Sequence, residues 1–222
     1  MLLAANVAAT RMARGRLITI EGLDGAGKST LAASLAAELE RRGIPIQVLR
    51  EPGGVAAAER MRELVKDPRL AIGARSEALL YAAARAQLVE EAVSPLLERG
   101  VWVLLDRFVD SSLAYQGAGR SLGIEAVSAI NEFATGGLRP DRTLLLELDP
   151  SLARERARTR VEAPDRLERE DNAFFERIAS AYAQLAVQDA ERVRRLDGSL
   201  QADSVLAAAL GAICDLTARP SQ

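Results

Sequence analysis

Short apolar runs and segments with helical spacing of apolar residues alternate along most of the chain. A continuous apolar run is typical of a buried parallel strand, and apolar residues about three to four positions apart are typical of a helix. We predict strands at 17–20, 46–49, 101–105, 142–148 and 193–196, of which 101–105 is a continuous apolar run. The spacing predicts helices at 29–42, 56–66, 77–99, 123–135, from 151 onward, at 174–190 and at 203–216.

This alternation of strands and helices favours a three-layer α/β/α fold around a mostly parallel, five-stranded sheet. We expect right-handed crossovers between the strands. No internal repeat or linker divides the chain, so we predict one domain over 16–218, preceded by a loosely ordered N-terminal extension over 1–15. Ligands in such folds bind beyond the carboxyl ends of the strands.

The predicted helix 77–99 is the longest, and Pro95 is expected to kink it or end it locally. Its candidate core residues are Leu79, Leu80, Ala83, Leu88, Val93, Leu96 and Leu97.

A glycine-rich turn follows the first predicted strand and fits the pattern G-x-x-x-x-G-K-[ST]. Glycines let backbone N–H groups point inward at phosphate oxygens, and the helix that follows adds its positive end. Lys28 would reach the β- and γ-phosphates, and the Ser29 hydroxyl would bind Mg²⁺. The motif predicts a P-loop NTPase fold with a nucleotide site at Gly22, Leu23, Asp24, Gly25, Ala26, Gly27, Lys28, Ser29 and Thr30. The alternative is a strand–turn–helix corner whose glycines occur by chance.

Composition narrows the chemistry that this turn could serve. The 222 residues carry a net charge of −2, which gives no reason to expect a nucleic acid or an anionic membrane as partner. The absence of histidine excludes histidine bases and His-ligated zinc. Cys214 is the only cysteine, and no apolar run is long enough to span a bilayer, so we expect a cytoplasmic protein.

Polar residues follow two other predicted strands at the edge where the glycine-rich turn lies. Arg50 follows the second strand, and Asp106 and Arg107 follow the third. Arginine presents a planar fork of donors that matches a phosphate group. Asp106 ends an apolar strand as a Walker-B-type carboxylate does, which indicates contact with Mg²⁺, directly or through water. This convergence of strand ends predicts an enzyme, although both arginines could instead form surface salt bridges.

Several segments together resemble the thymidylate kinase family, in its order and spacing, from about residue 16 to the last helix. They are EGLDGAGKST at 21–30, REPGG at 50–54, YAAARAQ at 81–87, DR at 106–107, SSLAYQG at 111–117, RPD at 139–141 and DRLE at 165–168. The resemblance implies transfer of a phosphoryl group from ATP to dTMP with Mg²⁺, as a step of dTTP synthesis. It also implies a homodimer that packs long helices together, for which the alanine-rich helix 77–99 is a candidate.

The resemblance assigns Arg50 and Arg107 to the acceptor phosphate. It places the Asp24 carboxylate near the phosphate and sugar of the acceptor, although Asp24 could simply cap the turn.

Base recognition is assigned to Tyr81 and Arg85, which lie four residues apart and so share a helix face. In the family an aromatic ring at the first position, usually Phe, stacks on thymine, and the arginine bonds a base carbonyl. The alternative puts Tyr81 in the core and Arg85 in solvent. Tyr115 resembles a tyrosine that disfavours a 2′-hydroxyl, and Ser112 and Gln116 are further candidates for polar contacts.

The arginine-rich stretch at about 154–169 resembles a lid that closes over ATP. A charge run of this kind is ordinarily a solvated helix face. Some family members carry a catalytic arginine in the phosphate loop, where this chain has Gly25, so the positive charge is expected from the lid. Val161 stands where a glycine is usual, which leaves open whether the γ-phosphate contact is Arg156, Arg158 or Arg160.

Two other functions remain open at this point. One is another nucleotide kinase, or a deoxynucleoside kinase, with the same fold. The other is a slowly hydrolysing nucleotide-dependent switch, which the chain does not favour because it lacks a guanine-reading Asn-Lys-x-Asp segment.

Overall fold

A computed structural model describes residues 13–158 and 165–217 and contains a sheet of five parallel strands. The strands lie in the order β2-β3-β1-β4-β5. Their bounds are β1 Leu17–Gly22, β2 Ile46–Arg50, β3 Trp102–Asp106, β4 Arg142–Glu147 and β5 Val193–Asp197. The predicted five-stranded α/β fold is confirmed, because each of the five predicted segments forms a strand of one sheet.

Helices cover both faces of the sheet. They are α1 Lys28–Arg41, α2 Ala56–Lys66, α3 Ala74–Leu88, α4 Ser94–Glu98, α5 Val109–Ser112, α6 Ile124–Thr135, α7 Pro150–Arg158, α8 Asn172–Gln188, α9 Ala202–Ala212 and α10 Cys214–Thr217. Two π-helical segments, Val89–Val93 and Leu113–Gly119, join α3 to α4 and extend α5. None of the helices in the described ranges is long and apolar enough to cross a membrane.

The core is divided between the two faces because side chains alternate along each strand. Ile18 and Ile20 of β1 pack with leucines of α1 and with α9 on one face. On the other face, Leu17 packs with the segment from Leu88 to Leu97, while Leu145 packs with α8. Burial on both faces explains why the central strands β1, β3 and β4 are largely apolar in sequence.

Strand register brings the predicted site residues to one edge of the sheet. Asp106 at the end of β3 pairs with Ile20 of β1 on one side and with Arg50 of β2 on the other. Gly22 pairs with Leu146 of β4. The glycine-rich turn, Arg50 and Asp106 are therefore neighbours at the carboxyl edge, as the strand-end argument predicted.

The helical region 74–98 differs from its prediction. It begins at Ala74 and widens into a π-helical turn before Pro95, so that the proline falls in the first turn of α4, where its missing N–H is tolerated. The predicted core residues Leu79 and Ala83 are exposed, Leu79 by 55% of its surface. Both predictions were wrong because the buried face of α3 carries Glu77 and Arg85 beside small alanines, a pattern that apolar spacing cannot reveal.

Two residues of the predicted N-terminal extension contact the rest of the chain. Gly15 is buried, its N–H donates to the carbonyl O of Leu97 at 2.8 Å, and Arg14 lies 3.9 Å from the carboxylate of Asp141. Residues 1–12 lie outside the described residues.

Candidate active site

A cavity of about 880 Å³ opens at the carboxyl edge of the sheet. It has the size of a small-molecule site. Most of the residues predicted for nucleotide and metal binding line it: Leu23, Asp24, Gly27, Lys28, Ser29, Thr30, Arg50, Tyr81, Arg85, Asp106, Arg107, Ser112, Tyr115 and Gln116. Residues far apart in the sequence therefore form one site.

The glycine-rich turn joins β1 to α1 with the backbone that a phosphate loop requires. Gly27, immediately before α1, has φ +96°, a left-handed conformation that glycine adopts without a steric penalty. Helix α1 begins at Lys28, so its free N–H groups face the cavity end of the turn.

Gly25 lies directly against helix α7. A Cβ atom at this position would be 2.1 Å from the carbonyl O of Ala153 and 3.1 Å from the N of Ala157. The backbone of α7 thus occupies the space that a side chain in the loop would need. This contact gives a physical reason why the loop carries no arginine here.

Lys28 is 6% exposed and points back over the loop. Its Nζ donates to the carbonyl O of Leu23 at 2.9 Å and lies 3.6 Å from Oδ1 of Asp24. Burial, together with the nearby Arg107 guanidinium, lowers the pKa of Lys28. An anionic phosphate would oppose both effects, because it would add negative charge beside the ammonium.

Ser29 and Asp106, the two predicted magnesium ligands, lie in contact with each other. The Ser29 hydroxyl donates to Oδ2 of Asp106 at 3.0 Å. Oδ1 of Asp106 is buried and has no hydrogen-bond donor within the described ranges, which fits a cation ligand. No group of three or more acidic, cysteine or histidine side chains within 13–158 and 165–217 could hold a metal. A Mg²⁺ ion here would therefore complete its coordination with phosphate oxygens and water.

Arg107 lies at the centre of the site in a left-handed backbone conformation, with φ +73°. Nη1 donates to the carbonyl O of Gly22 and to Ser111 Oγ, both at 3.1 Å. Nη2 donates to Oδ1 of Asp24 at 2.8 Å and to the Tyr115 hydroxyl at 3.2 Å. These contacts aim the guanidinium at the phosphate loop.

Asp24 connects the phosphate loop to the predicted acceptor-phosphate site, because it contacts both Lys28 and Arg107. The Tyr115 hydroxyl lies 3.4 Å from its other carboxylate oxygen and donates to it. Burial raises the pKa of Tyr115, so this hydroxyl keeps its proton. Asp24 is therefore more than a turn cap.

A buried polar cluster of Glu21, Ser111 and Tyr182 supports Arg107 through Ser111. Glu21 is fully buried and accepts hydrogen bonds from the Phe108 N–H, from Ser111 Oγ and from the Tyr182 hydroxyl. Burial, reinforced by the carboxylate of Asp110, raises the pKa of Glu21 to about 7. The cluster fixes Ser111, which in turn accepts from Arg107.

Arg50 extends from the end of β2 and remains 57% exposed. Its Nη2 lies 3.2 Å from Glu59 of α2, and Glu59 also accepts from the N–H of Gly54 at 2.8 Å. Arg50 is thus held over the loop 51–54 at the rim of the cavity, with most of its surface accessible to a ligand.

Tyr81 and Arg85 lie on one helix face and both line the cavity, as their spacing predicted. Arg85, however, is 1% exposed rather than in solvent. Its guanidinium pairs with the buried Glu51 at 2.6 Å and also donates to Ser112 Oγ, Asn131 Oδ1 and the carbonyl O of Phe108. A hydrogen bond to a base would therefore require one of these N–H groups to share or leave its acceptor.

Gln116 lies deeper in the same wall and is 2% exposed. Its Nε2 donates to Oε1 of Glu77 at 2.8 Å. Ser112 accepts from Arg85, so it lies at the cavity floor beside the buried arginine.

The predicted lid is described in two pieces, through Arg158 and again from Asp165. Arg154 lines the cavity, with its guanidinium 5.1 Å from the centre of the Phe175 ring. Arg156 donates to the carbonyl O of Gly198 at 3.0 Å and is not among the residues that line the cavity. The Arg158 side chain and Arg160, both predicted to be catalytic, lie outside the described part, as does Val161.

Several charged residues that the sequence argument did not select also line the cavity. Arg62 and Lys66 share one face of α2, and Asp165 and Arg169 lie in the second piece of the predicted lid. Lys66 pairs with Asp165 at 2.9 Å, which ties this piece of the predicted lid to α2. The i, i+4 spacing of Arg62 and Lys66 was a usable signal, although it is also typical of a solvated helix face.

Comparison with known proteins agrees with this geometry. A family model described as thymidylate kinase matches residues 20–208. The thymidylate kinase of Alkalilimnicola ehrlichii is 45% identical over 211 residues, which cover 94% of this chain and 96% of that protein. The thymidylate kinase of Deinococcus radiodurans is 46% identical over 204 residues, covering 92% of this chain and 98% of that protein. Since the match spans the phosphate loop and every other wall of the cavity, the chain belongs to the thymidylate kinase family.

Proposed function

We propose that this protein transfers the γ-phosphoryl group of ATP to dTMP, giving ADP and dTDP as a step of dTTP synthesis. The observation that carries the proposal is the position of Arg107, which shares Asp24 with Lys28 in one cavity. Two cationic groups so arranged suit two phosphate groups that face each other. Family membership supports dTMP as the acceptor.

On the donor side, the backbone N–H groups of the turn and the Lys28 ammonium would hold the phosphates of ATP. On the acceptor side, Arg50 and Arg107 would hold the monophosphate, and Asp24 would keep Arg107 in place. The acceptor oxygen is already anionic at neutral pH, so the reaction needs no general base. Alignment and charge neutralisation are the main requirements of phosphoryl transfer.

Ser29 and Asp106 are the residues that would hold Mg²⁺. When bound, the ion would supply charge neutralisation at the phosphate oxygens. The unpartnered Oδ1 of Asp106 supports this assignment.

The nucleoside would lie between Tyr81 and the wall that carries Ser112, Tyr115 and Gln116. Tyr81 offers a ring for stacking, and burial raises the pKa of its hydroxyl, which therefore stays neutral. Arg85 would act chiefly as the buried support of this wall. Tyr115, whose ring centre lies 5.0 Å from the guanidinium carbon of Arg107, would disfavour a ribose, as the resemblance to the family implies.

The arginines of the lid would supply the positive charge that Gly25 cannot. We include Arg156, Arg158 and Arg160 in this role and expect lid closure to exclude water and so suppress hydrolysis of ATP. Arg154 joins them, since it already lines the cavity. We further propose a cytoplasmic homodimer.

Two alternatives differ in the acceptor that they require. Another nucleotide kinase would take a different monophosphate, and a kinase for unphosphorylated nucleosides would give Arg50 and Arg107 no acceptor phosphate to bind. A nucleotide-dependent switch would bind ATP without any acceptor-dependent release of ADP.

ADP release with ATP and Mg²⁺ tests the proposal across dTMP, dUMP, dCMP, AMP, GMP and thymidine. We expect dTMP to be the best substrate, thymidine to be inactive, and Lys28→Ala to abolish most turnover while the circular dichroism spectrum is kept. Preference for a purine monophosphate or for thymidine would support the first alternative. Release of ADP that does not depend on any acceptor would support the second.

A further inference from the structure

A buried carboxylate lies behind the wall that would face the base. Glu77, in the first turn of α3, is 0% exposed and contacts three residues of two other segments. It accepts from Nε2 of Gln116 at 2.8 Å, Arg120 Nε lies 3.1 Å from Oε2, and Arg166 Nη2 lies 2.6 Å from the same oxygen. The two guanidinium groups neutralise a charge that burial would otherwise make costly.

The contact with Glu77 determines which way the Gln116 amide faces. An ionised carboxylate can only accept hydrogen bonds, so the amide nitrogen must point to Glu77. The amide oxygen then faces away from Glu77, and no donor to it occurs within the described part of the chain. Gln116 lines the cavity, so this oxygen is available to a ligand.

We propose that Glu77 is a positioning residue that sets base specificity, because it holds Gln116 with its amide oxygen toward the nucleobase. The inference rests on the proposed function. An oxygen at this point accepts from the N3–H of thymine or uracil. Cytosine carries an unprotonated acceptor at N3, which would meet the oxygen as a repulsive pair.

The neighbours of Glu77 keep it fixed. Arg166 also donates through Nε to the carbonyl O of Val65, and Arg120 donates through Nη1 to Glu170 at 2.6 Å. One contact is made by Arg166 and the other reaches Glu170, so both involve the C-terminal end of the predicted lid. The orientation of Gln116 therefore depends on elements outside the base pocket.

Glu77→Gln tests the proposal because its effect has a definite direction. Arg120 and Arg166 would retain the amide oxygen of the new side chain, which turns its nitrogen toward Gln116. The Gln116 amide would then reverse and present its nitrogen, which donates to the N3 of cytosine. We expect the ratio of kcat/KM for dUMP to that for dCMP to fall by roughly tenfold or more. These two nucleotides both lack the 5-methyl group, so the ratio isolates the recognised edge.

Glu170→Gln is the matched control, since it removes the other carboxylate partner of Arg120 without touching Gln116. It should leave the dUMP:dCMP ratio unchanged. Glu77→Asp keeps an acceptor-only carboxylate and should lower kcat/KM for both nucleotides alike. A Glu77→Gln variant that folds and keeps the wild-type ratio, while the wild type phosphorylates dTMP, overturns this inference alone. A wild type inactive on all three pyrimidine monophosphates overturns the proposed function as well.

If Glu77→Gln does not fold, nuclear magnetic resonance of the wild-type protein decides the matter. The Gln116 side-chain N–H signals, identified by their loss in Gln116→Leu, should stay protected from solvent exchange when dTMP is bound. Rapid exchange of these protons in the dTMP complex would overturn the proposal, since the nitrogen would not then face Glu77.

Discussion

Arg107 combines a functional side chain with an unfavourable backbone. Its φ of +73° is sterically costly for a residue with a Cβ atom, by roughly 1–3 kcal/mol. The conformation directs the guanidinium from the end of β3 to the carbonyl O of Gly22 and to Asp24. Glycine would adopt this backbone more easily, so the presence of arginine indicates that its side chain is required.

Replacing Arg107 by alanine and by glycine separates these two contributions. We expect both variants to lose kcat/KM for dTMP by roughly 10³-fold, because each lacks the guanidinium that holds the acceptor phosphate. Arg107→Gly should be more stable than Arg107→Ala by roughly 1 kcal/mol, since glycine relieves the strain. Steady-state kinetics and urea unfolding measure the two effects.

Arg60→Ala is the control for loss of an arginine, because Arg60 is exposed on α2 and pairs with Glu63. It should change neither quantity appreciably. An Arg107→Ala protein with near-normal kcat/KM would remove Arg107 from the acceptor site. An alanine variant as stable as the glycine variant would show that the backbone is not strained.

Among the elements, helix α7 and the phosphate loop depend on each other through Gly25. Gly25→Ala would place a Cβ atom 2.1 Å from the carbonyl O of Ala153, so α7 must move. We expect kcat to fall at least about tenfold and stability to fall by roughly 2–4 kcal/mol from overpacking and backbone strain together. Kinetics with ATP and dTMP and thermal unfolding provide the measurement.

Gly43→Ala controls for strain without a clash. Gly43 follows α1 with φ +76°, and a Cβ atom there would meet no atom within 4 Å. This variant should lose about 1 kcal/mol of stability and keep its kcat. If Gly25→Ala behaves in the same way, α7 does not rest on the phosphate loop in solution.

Elements that bury a continuous apolar run were predictable, and elements that bury polar side chains were not. The central strands β1, β3 and β4 were found because both of their faces are covered. The helical segment 109–119 was not assigned as an element, since its buried side chains include Asp110, Ser111 and Gln116. On α3, Glu77 and Arg85 lie on the buried face because Arg120 and Glu51 neutralise them, and those partners are distant in the sequence.

For the whole molecule, the sequence predicted where the site lies but not how its charges are paired. The phosphate-loop motif and the strand ends located Lys28, Arg107 and Asp106, because parallel strands must bring their carboxyl ends to one edge. The proposed role of Glu77 depends on its contacts with Gln116, Arg120 and Arg166. These residues are distant from Glu77 in the sequence, so no local sequence pattern predicts the contacts. Tertiary proximity alone distinguishes such a residue from a solvated helix charge.

Helices α3 and α6 carry exposed apolar residues that could form a dimer interface. Helices α3 and α6 pack together, and both present apolar residues to solvent: Leu79 is 55% exposed and Phe133 93% exposed. Burial of both against a second copy would remove this apolar surface from water, so we expect a dimer in sedimentation equilibrium.

The double variant Leu79→Glu and Phe133→Glu should shift the dimer to monomer, because association would bury like charges without partners. Val187→Glu, at a 74% exposed valine of α8, should leave the dimer intact. A wild-type monomer at all concentrations, or a dimer that only Val187→Glu dissociates, would contradict an interface through α3 and α6.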